Sequence, residues 1–158
     1  MLVNIESYKK CSSAISLQGR EKSVRKSSIR ATPVEEISNV VHSVFPDWQV
    51  YFYAIPEEVI DNKNVTQVLI TESNSDITTY GGNTFNEMAF GYRLQVFYGL
   101  DEENLIGKEI TLYKALEAKE WRITDSQPRY LDISQTDGQQ MIKNIEINKT
   151  LTLDELDQ

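Results

Sequence analysis

The stretch from Phe90 to Lys149 constrains the fold of this chain more than any other part of the sequence. It begins with an alternating apolar segment, continues through an acidic turn and an amphipathic segment, and ends with two further alternating segments separated by a polar loop. Alternation with a period of two indicates a strand, whereas apolar residues spaced by three and four indicate a helix. The stretch therefore predicts a sheet with a helix packed on one face.

The residues before this stretch add another helix and two more strands. Thr32 is the expected N-cap of the helix, Pro33 stands at its first position, and Glu35 completes a capping box. The whole chain is predicted to be α+β, with a mostly antiparallel sheet of four to five strands and two helices packed on one face. Helices are expected near residues 33–45 and 101–118, and strands at 48–55, 65–71, 85–98, 121–126 and 139–148, with a bulge in the last.

The segment from Glu72 to Thr84 is expected to be a long loop or the tip of a hairpin. It is rich in Ser, Thr and Asn and contains two adjacent glycines, which is typical of turns rather than of core strands. Polar loops held by strong strands often make functional contacts. We predict that six of its residues contact a partner: Asp76, Thr79, Tyr80, Gly81, Gly82 and Asn83.

Charge separates a basic N-terminal arm from an acidic remainder. Residues 1–30 hold seven basic and two acidic residues, a net of +5, and residues 31–158 hold nine basic and 22 acidic residues, a net of −13. The arm is Ser-rich with few large apolar residues, so it suits a flexible segment or one that folds on a partner. An acidic protein surface and nucleic acid are both open as its target. The predicted contact residues are Arg20, Lys22, Arg25, Lys26 and Arg30.

The length and charge pattern predict one folded domain with two extensions. A chain of 158 residues suits a single core. We place the basic arm at residues 1–30, the α+β domain at residues 31–149, and an acidic tail, expected to be mobile, at residues 150–158.

Side chains that carry out catalysis or hold metals are scarce in this sequence. His42, the single histidine, lies beside the apolar stripe of a predicted helix, so we expect no His-assisted nucleophile. With one histidine and one cysteine, Cys11, the Cys/His cluster that zinc needs is missing. No apolar run approaches the ~20 residues that span a bilayer. We therefore expect no catalytic, metal-binding or cofactor-binding residues and no membrane partner. A carboxylate pair for Mg²⁺ stays open, although the acidic groups at residues 57–61 and 101–103 are interpreted as solvated turns.

Over residues 31–149 the chain resembles the tail terminator (tail completion) proteins of siphophages of Gram-positive hosts. The Pro-capped first helix and the strand after it are consistent with the same layout. The features that carry the resemblance are the strand YRLQVFY (92–98), the acidic turn DEEN (101–104), the helix after it, the strand opening with Trp121 and Ile123, the loop from Arg129 to Asp137 that contains Asp132, and the final strand after Asp137-Gly138-Gln139.

The resemblance implies a structural virion protein that forms a ring, expected to be a homohexamer, on the head-proximal end of the tail tube. Such a ring stops tube growth and offers a surface to the head connector. Its partners are other copies, the tail tube protein and the connector, and DNA passes through without specific binding. The protein would be assembled in the host cytoplasm and located in the virion. Residues 1–30 depart from the pattern of short family members. The alternatives are another head–tail connector or neck component, or a nucleic-acid-binding adaptor that uses the basic arm.

Overall fold

A computed structural model describes residues 30–134 and 136–157 of the chain. This part contains four helices and six strands, so the α+β prediction is confirmed and the strands outnumber those expected. In chain order they are α1 (Pro33–Val44), β1 (Gln49–Phe52), α2 (Glu57–Ile60), β2 (Gln67–Gly81), β3 (Thr84–Phe97), α3 (Leu105–Glu117), β4 (Arg122–Ser126), β5 (Tyr130–Leu131), β6 (Met141–Thr152) and α4 (Leu153–Leu156).

The strands form one mixed sheet that is mostly antiparallel, as predicted. Their order is β1-β2-β3-β6-β4, and the short β5 also pairs with β6. The β1–β2 pair is parallel and the other pairs are antiparallel. The longest uninterrupted ladder joins β3 to β6, from the Glu87–Thr152 pair to the Phe97–Ile142 pair. This central ladder joins the hairpin of β2 and β3 to the C-terminal half of the sheet.

The helices α1 and α3 pack on one face of the sheet, as the apolar patterns predict. Alternation along β3 turns Tyr92, Leu94 and Val96 toward them, and these side chains are buried. Ile37 and Val41 of α1 are fully buried in the same layer. Burial of one such side chain contributes about 1.5–3 kcal/mol, so this layer is the hydrophobic core.

Trp121 closes the core beyond the end of α3. Its side chain is fully buried and meets Tyr92 edge to face, with 5.7 Å between ring centroids. Its Nε1 donates a hydrogen bond to Glu36 at 3.0 Å. Lys149 lies 5.7 Å from the ring centroid and also donates to Glu36, at 3.0 Å. One carboxylate therefore ties α1 to Trp121 and to β6.

Helix α3 starts later than predicted and turns other residues toward the core. Asn104 is its N-cap in the left-handed region, at φ 51, and its Oδ1 accepts from the Gly107 N–H at 3.3 Å. A Cβ on Gly107 would lie 2.4 Å from the Asn104 side chain, so this glycine makes room for the cap. Ile106 and Ile110 fit the helical spacing of the apolar residues, but they are 60% and 47% exposed.

The segment from Glu72 to Thr84 extends the hairpin, so the prediction of a long loop is wrong and that of a hairpin tip is right. Only Gly82 and Asn83 lie between the strands, with φ values of 61 and 69 that fit a type I′ turn. The polar composition does not indicate a strand here, although the segment forms one. Pairing with β3 supplies hydrogen bonds for backbone N–H and C=O groups, while the side chains stay in water. Strands exposed on both faces need no apolar alternation.

The C-terminal part differs from the sequence-based expectations in two respects. β6 runs through Thr152 and is followed by α4, where Thr152 and Glu155 form a capping box, so the expected mobile tail begins with regular structure. The pairing of β6 with β3 is continuous. The predicted bulge lies instead in β4, between Ile123 and Asp125, where two residues face one on β6.

Candidate assembly surfaces

The distal half of the β2–β3 hairpin projects beyond the core. We call residues 72–87 the hairpin arm. None of them is buried, and residues 72–80 of β2 are all exposed. On the same strand, Val68 and Ile70 are fully buried. A strand pair that buries nothing against its own core is available for contact with another molecule.

The hairpin arm is held by its own hydrogen bonds and bent by bulges. Thr79 donates to Glu87 across the two strands at 2.7 Å, and Asn74 donates to Asp76 at 2.7 Å. The register slips where Ser73 adds an extra residue to β2. A Cβ on the facing Gly91 would lie 2.9 Å from the Ser73 hydroxyl, so a larger residue at this position would require the Ser73 side chain to move. These hydrogen bonds and bulges give the hairpin arm a defined structure.

All six residues predicted to contact a partner lie in the hairpin arm. The most exposed apolar one, Tyr80, has 72% of its surface exposed. Ile77 is 45% exposed in the same strand. It is not among the six predicted contact residues, because the sequence predicts a polar loop there. The run from Ile77 to Tyr80, rich in β-branched and aromatic residues and followed by a turn sequence, was the signal that could have found it.

The outer edge of β2 is free along the hairpin arm. β1 pairs with β2 only as far as the Phe52–Ile70 pair. Tyr53 then adopts φ 64, which turns the chain away from the sheet. From Thr71 to Gly81, no strand among the described residues pairs with β2 on that side. Such an edge presents unpaired N–H and C=O groups to another chain.

The hairpin arm carries negative charge and no positive charge. Its acidic residues are Glu72, Asp76 and Glu87, and residues 72–87 contain no Lys, Arg or Pro. Lysine, proline and charged side chains are the usual means by which proteins protect an edge strand from pairing. In the part of the chain that the structure describes, acidic charge and bulges are the features that protect this edge.

The sheet face opposite α1 and α3 is a second surface, which carries both aromatic side chains and the exposed Arg93–Glu146 ion pair. Tyr51, Leu69 and Phe97 are half-buried on this face, and Tyr130 is 43% exposed. Among the described residues the short α2 reaches this face, where Gln67 donates to the carbonyl of Val59 at 2.8 Å. A face of this kind can be covered by a further subunit.

A buried polar group fixes the segment that precedes β5. Glu109 of α3 accepts from the Tyr98 hydroxyl at 3.0 Å and from Arg129 at 3.3 Å. Burial, and then the nearby Glu109 carboxylate, raise the pKa of Tyr98. Both donors engage the same carboxylate oxygen, so Glu109 joins α3 and the end of β3 to the loop that carries Arg129.

The structure describes one of the five predicted residues of the basic arm. Arg30 donates to the Glu155 carbonyl at 2.9 Å and lies 4.0 Å from its carboxylate. This contact is with α4 of the same chain. The other four, Arg20, Lys22, Arg25 and Lys26, lie outside the described residues.

Clusters of side chains that could hold a metal ion are absent from the part of the chain that the structure describes. Residues 30–134 and 136–157 contain no group of three or more His, Cys, Asp or Glu side chains arranged to hold a metal ion. His42 is exposed on α1 and lies 3.5 Å from the Ser38 hydroxyl. In a cleft beside Trp48, Glu102 binds Thr66 and Lys108. None of the helices described is long and apolar enough to cross a bilayer.

Comparison with known proteins assigns the chain to a family. The model of the family described as "Protein of unknown function (DUF806)" matches residues 32–152. The match begins at the N-cap of α1 and ends with the last residue of β6, so it covers the sheet and its two long helices. The chain belongs to this family. A search of curated proteins found no match.

Proposed function

We propose that this chain is a structural virion protein of the tail terminator class, which forms a hexameric ring at the head-proximal end of a siphophage tail tube. It acts by assembly rather than by catalysis. The observation that carries the proposal is the order of elements from β3 to β6. A strand, an acidic turn, a helix, a Trp-led strand, a loop and a long final strand follow one another, and this is the order on which the resemblance rests.

The two exposed surfaces support a role in assembly. A closed ring of identical subunits needs a heterologous interface, in which one surface of each copy meets a different surface of the next. The hairpin arm and the sheet face opposite α1 and α3 are two distinct surfaces that could meet in this way. The side chains that they expose, such as Tyr80 at 72% and Tyr130 at 43%, are of a type enriched in protein interfaces.

The charge of the chain fits a channel through which DNA passes. Residues 31–158 have a net charge of −13. A negatively charged lumen repels the phosphate backbone, so it lets DNA slide without holding it. In this account the ring meets the tail tube protein on one side and the head connector on the other, and is built in the host cytoplasm before it joins the virion.

Imaging of assembled tails tests the proposal. Tails completed in the presence of this protein, carrying a compact tag at its C-terminus, should show the tag as a ring of density at the head-proximal end. Tails assembled without it should grow to irregular length and fail to join heads. Density at the distal tip, or tails of normal length without the protein, would contradict the proposal. A ring in the head neck instead would support a different connector component.

A further inference from the structure

We propose that the free edge of β2 in the hairpin arm binds residues 1–29 of a neighbouring copy as an added strand. The inference rests on the proposed function, because it requires copies of the chain to assemble. It goes further by naming the surface and the segment that join one copy to the next. Addition of a strand to an open sheet edge uses backbone hydrogen bonds for affinity and side-chain contacts for specificity.

The edge is long enough and apolar enough to receive a strand. It runs from Thr71 to Gly81 without a partner strand among the described residues. Exposed apolar side chains stand at both of its ends. Phe52 and Tyr53 are 40% and 61% exposed where β1 leaves the sheet, and Ile77 and Tyr80 are 45% and 72% exposed toward the tip. An added strand would cover these side chains as it pairs with the backbone.

Charge complementarity selects the N-terminal segment as the occupant. Residues 1–29 hold six basic and two acidic residues, a net of +4, whereas the hairpin arm holds three acidic residues and no basic ones. Ile15 and Leu17 are separated by Ser16 and followed by Gln18, a spacing that suits a strand with one apolar face. Two of the basic residues precede Ile15 and four follow Leu17, so a strand around Ile15 would bring basic residues beside the hairpin arm.

The segment leaves the domain on the β6 side of β3, and a head-to-tail ring would bring the β2 edge of the next copy to that side. Arg30 is attached to Glu155 of α4, and α4 packs against β3 and β6. The free edge lies on the other side of β3, beyond β2. A head-to-tail arrangement of copies places the β6 side of one copy near the β2 side of the next. An extended segment of 29 residues spans up to about 100 Å, so reach is not limiting.

The affinity of residues 1–29 for the neighbouring β2 edge should depend on salt concentration. Exposed ion pairs contribute about 0–1 kcal/mol each, so several must act together. The Debye length falls from about 10 Å at 0.1 M salt to about 3 Å at 1 M. The strand should therefore dissociate at high salt, while the core of each subunit keeps its structure.

Hydrogen exchange on the full-length protein tests the edge. The amides of residues 71–81 should exchange at least tenfold faster in a variant with Arg20→Glu, Lys22→Glu, Arg25→Glu and Lys26→Glu than in the wild type. The difference should vanish at 1 M salt. Peptides covering 141–152 serve as the internal control and should exchange equally in both proteins. Equal exchange at residues 71–81 at low salt would overturn the proposal.

Cross-linking identifies the occupant, because Cys11 is the single native cysteine and lies in the proposed segment. A short bismaleimide should link Cys11 to Ser75→Cys or Thr78→Cys of another chain and give dimers on a denaturing gel. Thr124→Cys, on β4 at the opposite end of the sheet, is the matched control and should give none. A link within one chain would contradict the choice of a neighbouring copy. A link between two Ser75→Cys sites in a Cys11→Ser background would show that the hairpin of a second copy is the occupant.

The result separates this inference from the proposed function. The reaction is carried out on fractions whose mass has been measured by light scattering. Ring-sized particles with neither a Cys11 link nor protection at residues 71–81 would overturn the inference and leave the proposed ring intact. Particles that stay monomeric both alone and with tail tube protein would overturn both.

Discussion

The two halves of the β2–β3 hairpin share the same strand pairing but differ in burial. At the base, Val68 and Ile70 are fully buried between α1, α3 and the rest of the sheet. Toward the tip, residues 72–80 of the same strand are all exposed. The base is fixed by packing that any sequence of this fold must keep. The tip makes no contribution to the core, so its length, charge and free edge need another explanation, and contact between subunits supplies one.

The core beside the hairpin base should show the largest effect on stability. Trp121→Ala empties a fully buried site in contact with Tyr92 of β3. The expected loss is about 3–5 kcal/mol in the free energy of unfolding, the usual cost of removing a large aromatic side chain from a core. Urea unfolding followed by circular dichroism measures it. A stable Trp121→Ala variant that fails only in assembly would move Trp121 from the core to an interface.

The next largest effect is expected at the carboxylate that ties α1 to β6. Glu36→Gln leaves the Lys149 ammonium, whose side chain is 5% exposed, with the Lys119 carbonyl and the Trp121 ring as its partners. An uncompensated buried charge costs about 3 kcal/mol or more. Lys149→Met removes the charge together with its need for a partner and should cost less. Chemical denaturation of both variants tests the order, and a smaller loss for Glu36→Gln would contradict it.

Alkaline pH should weaken the base of the hairpin. Burial, followed by the neighbouring Glu72 carboxylate, raises the pKa of Tyr92 to about 12. In the unfolded chain a tyrosine loses its proton near pH 10, so the unfolded state binds fewer protons between pH 10 and 12. Stability from this group is present below pH 10 and is lost as the pH rises toward 12, by about 2 kcal/mol in total. Tyr92→Phe should flatten this part of the curve of unfolding free energy against pH. An unchanged slope in the variant would contradict the assignment.

The smallest effect on stability is expected at the tip. Tyr80→Ala removes an aromatic side chain that is 72% exposed, so the free energy of unfolding should change by no more than about 0.5 kcal/mol. The same unfolding assay as for Trp121→Ala gives a direct comparison of two aromatic truncations. A loss above about 2 kcal/mol would show that the tip packs against its own domain.

Much of the hairpin base could be predicted from the sequence, and little of the tip. Alternation along β3 indicates that Tyr92, Leu94 and Val96 share one face of the strand, because every second side chain points to the same side. All three are buried. The tip has no buried face, so its sequence shows no alternation of apolar and polar residues. Its composition therefore predicts a loop or a hairpin tip rather than long strands. The six residues predicted to contact a partner lie in this largely exposed segment, because composition alone indicated exposure, and the contact itself stays a prediction.

Helix α3 shows a second limit of sequence reasoning. Ile106 and Ile110 fit the same helical spacing of apolar residues as Leu112 and Leu116. Leu112 and Leu116 are buried, whereas the two isoleucines are exposed. Glu109 takes a place at the core because Tyr98 and Arg129 satisfy its carboxylate. These partners come from distant parts of the chain, so nothing within the helix sequence reveals them. The free edge of β2 was missed for a similar reason, because it depends on where β1 stops.

The oligomeric mass of a hairpin-shortened variant tests the central claim most directly. Residues 78–87 are replaced by Asn-Gly, a type I′ turn between Ile77 and Met88, which already pair with each other. A variant with Gly82→Asn and Asn83→Gly keeps the full hairpin and serves as the matched control. Light scattering on the purified proteins, alone and with tail tube protein, should show a hexameric ring for the wild type and the control and a folded monomer for the shortened chain. A shortened chain that forms the same ring would contradict the account, because assembly would then not depend on the hairpin arm.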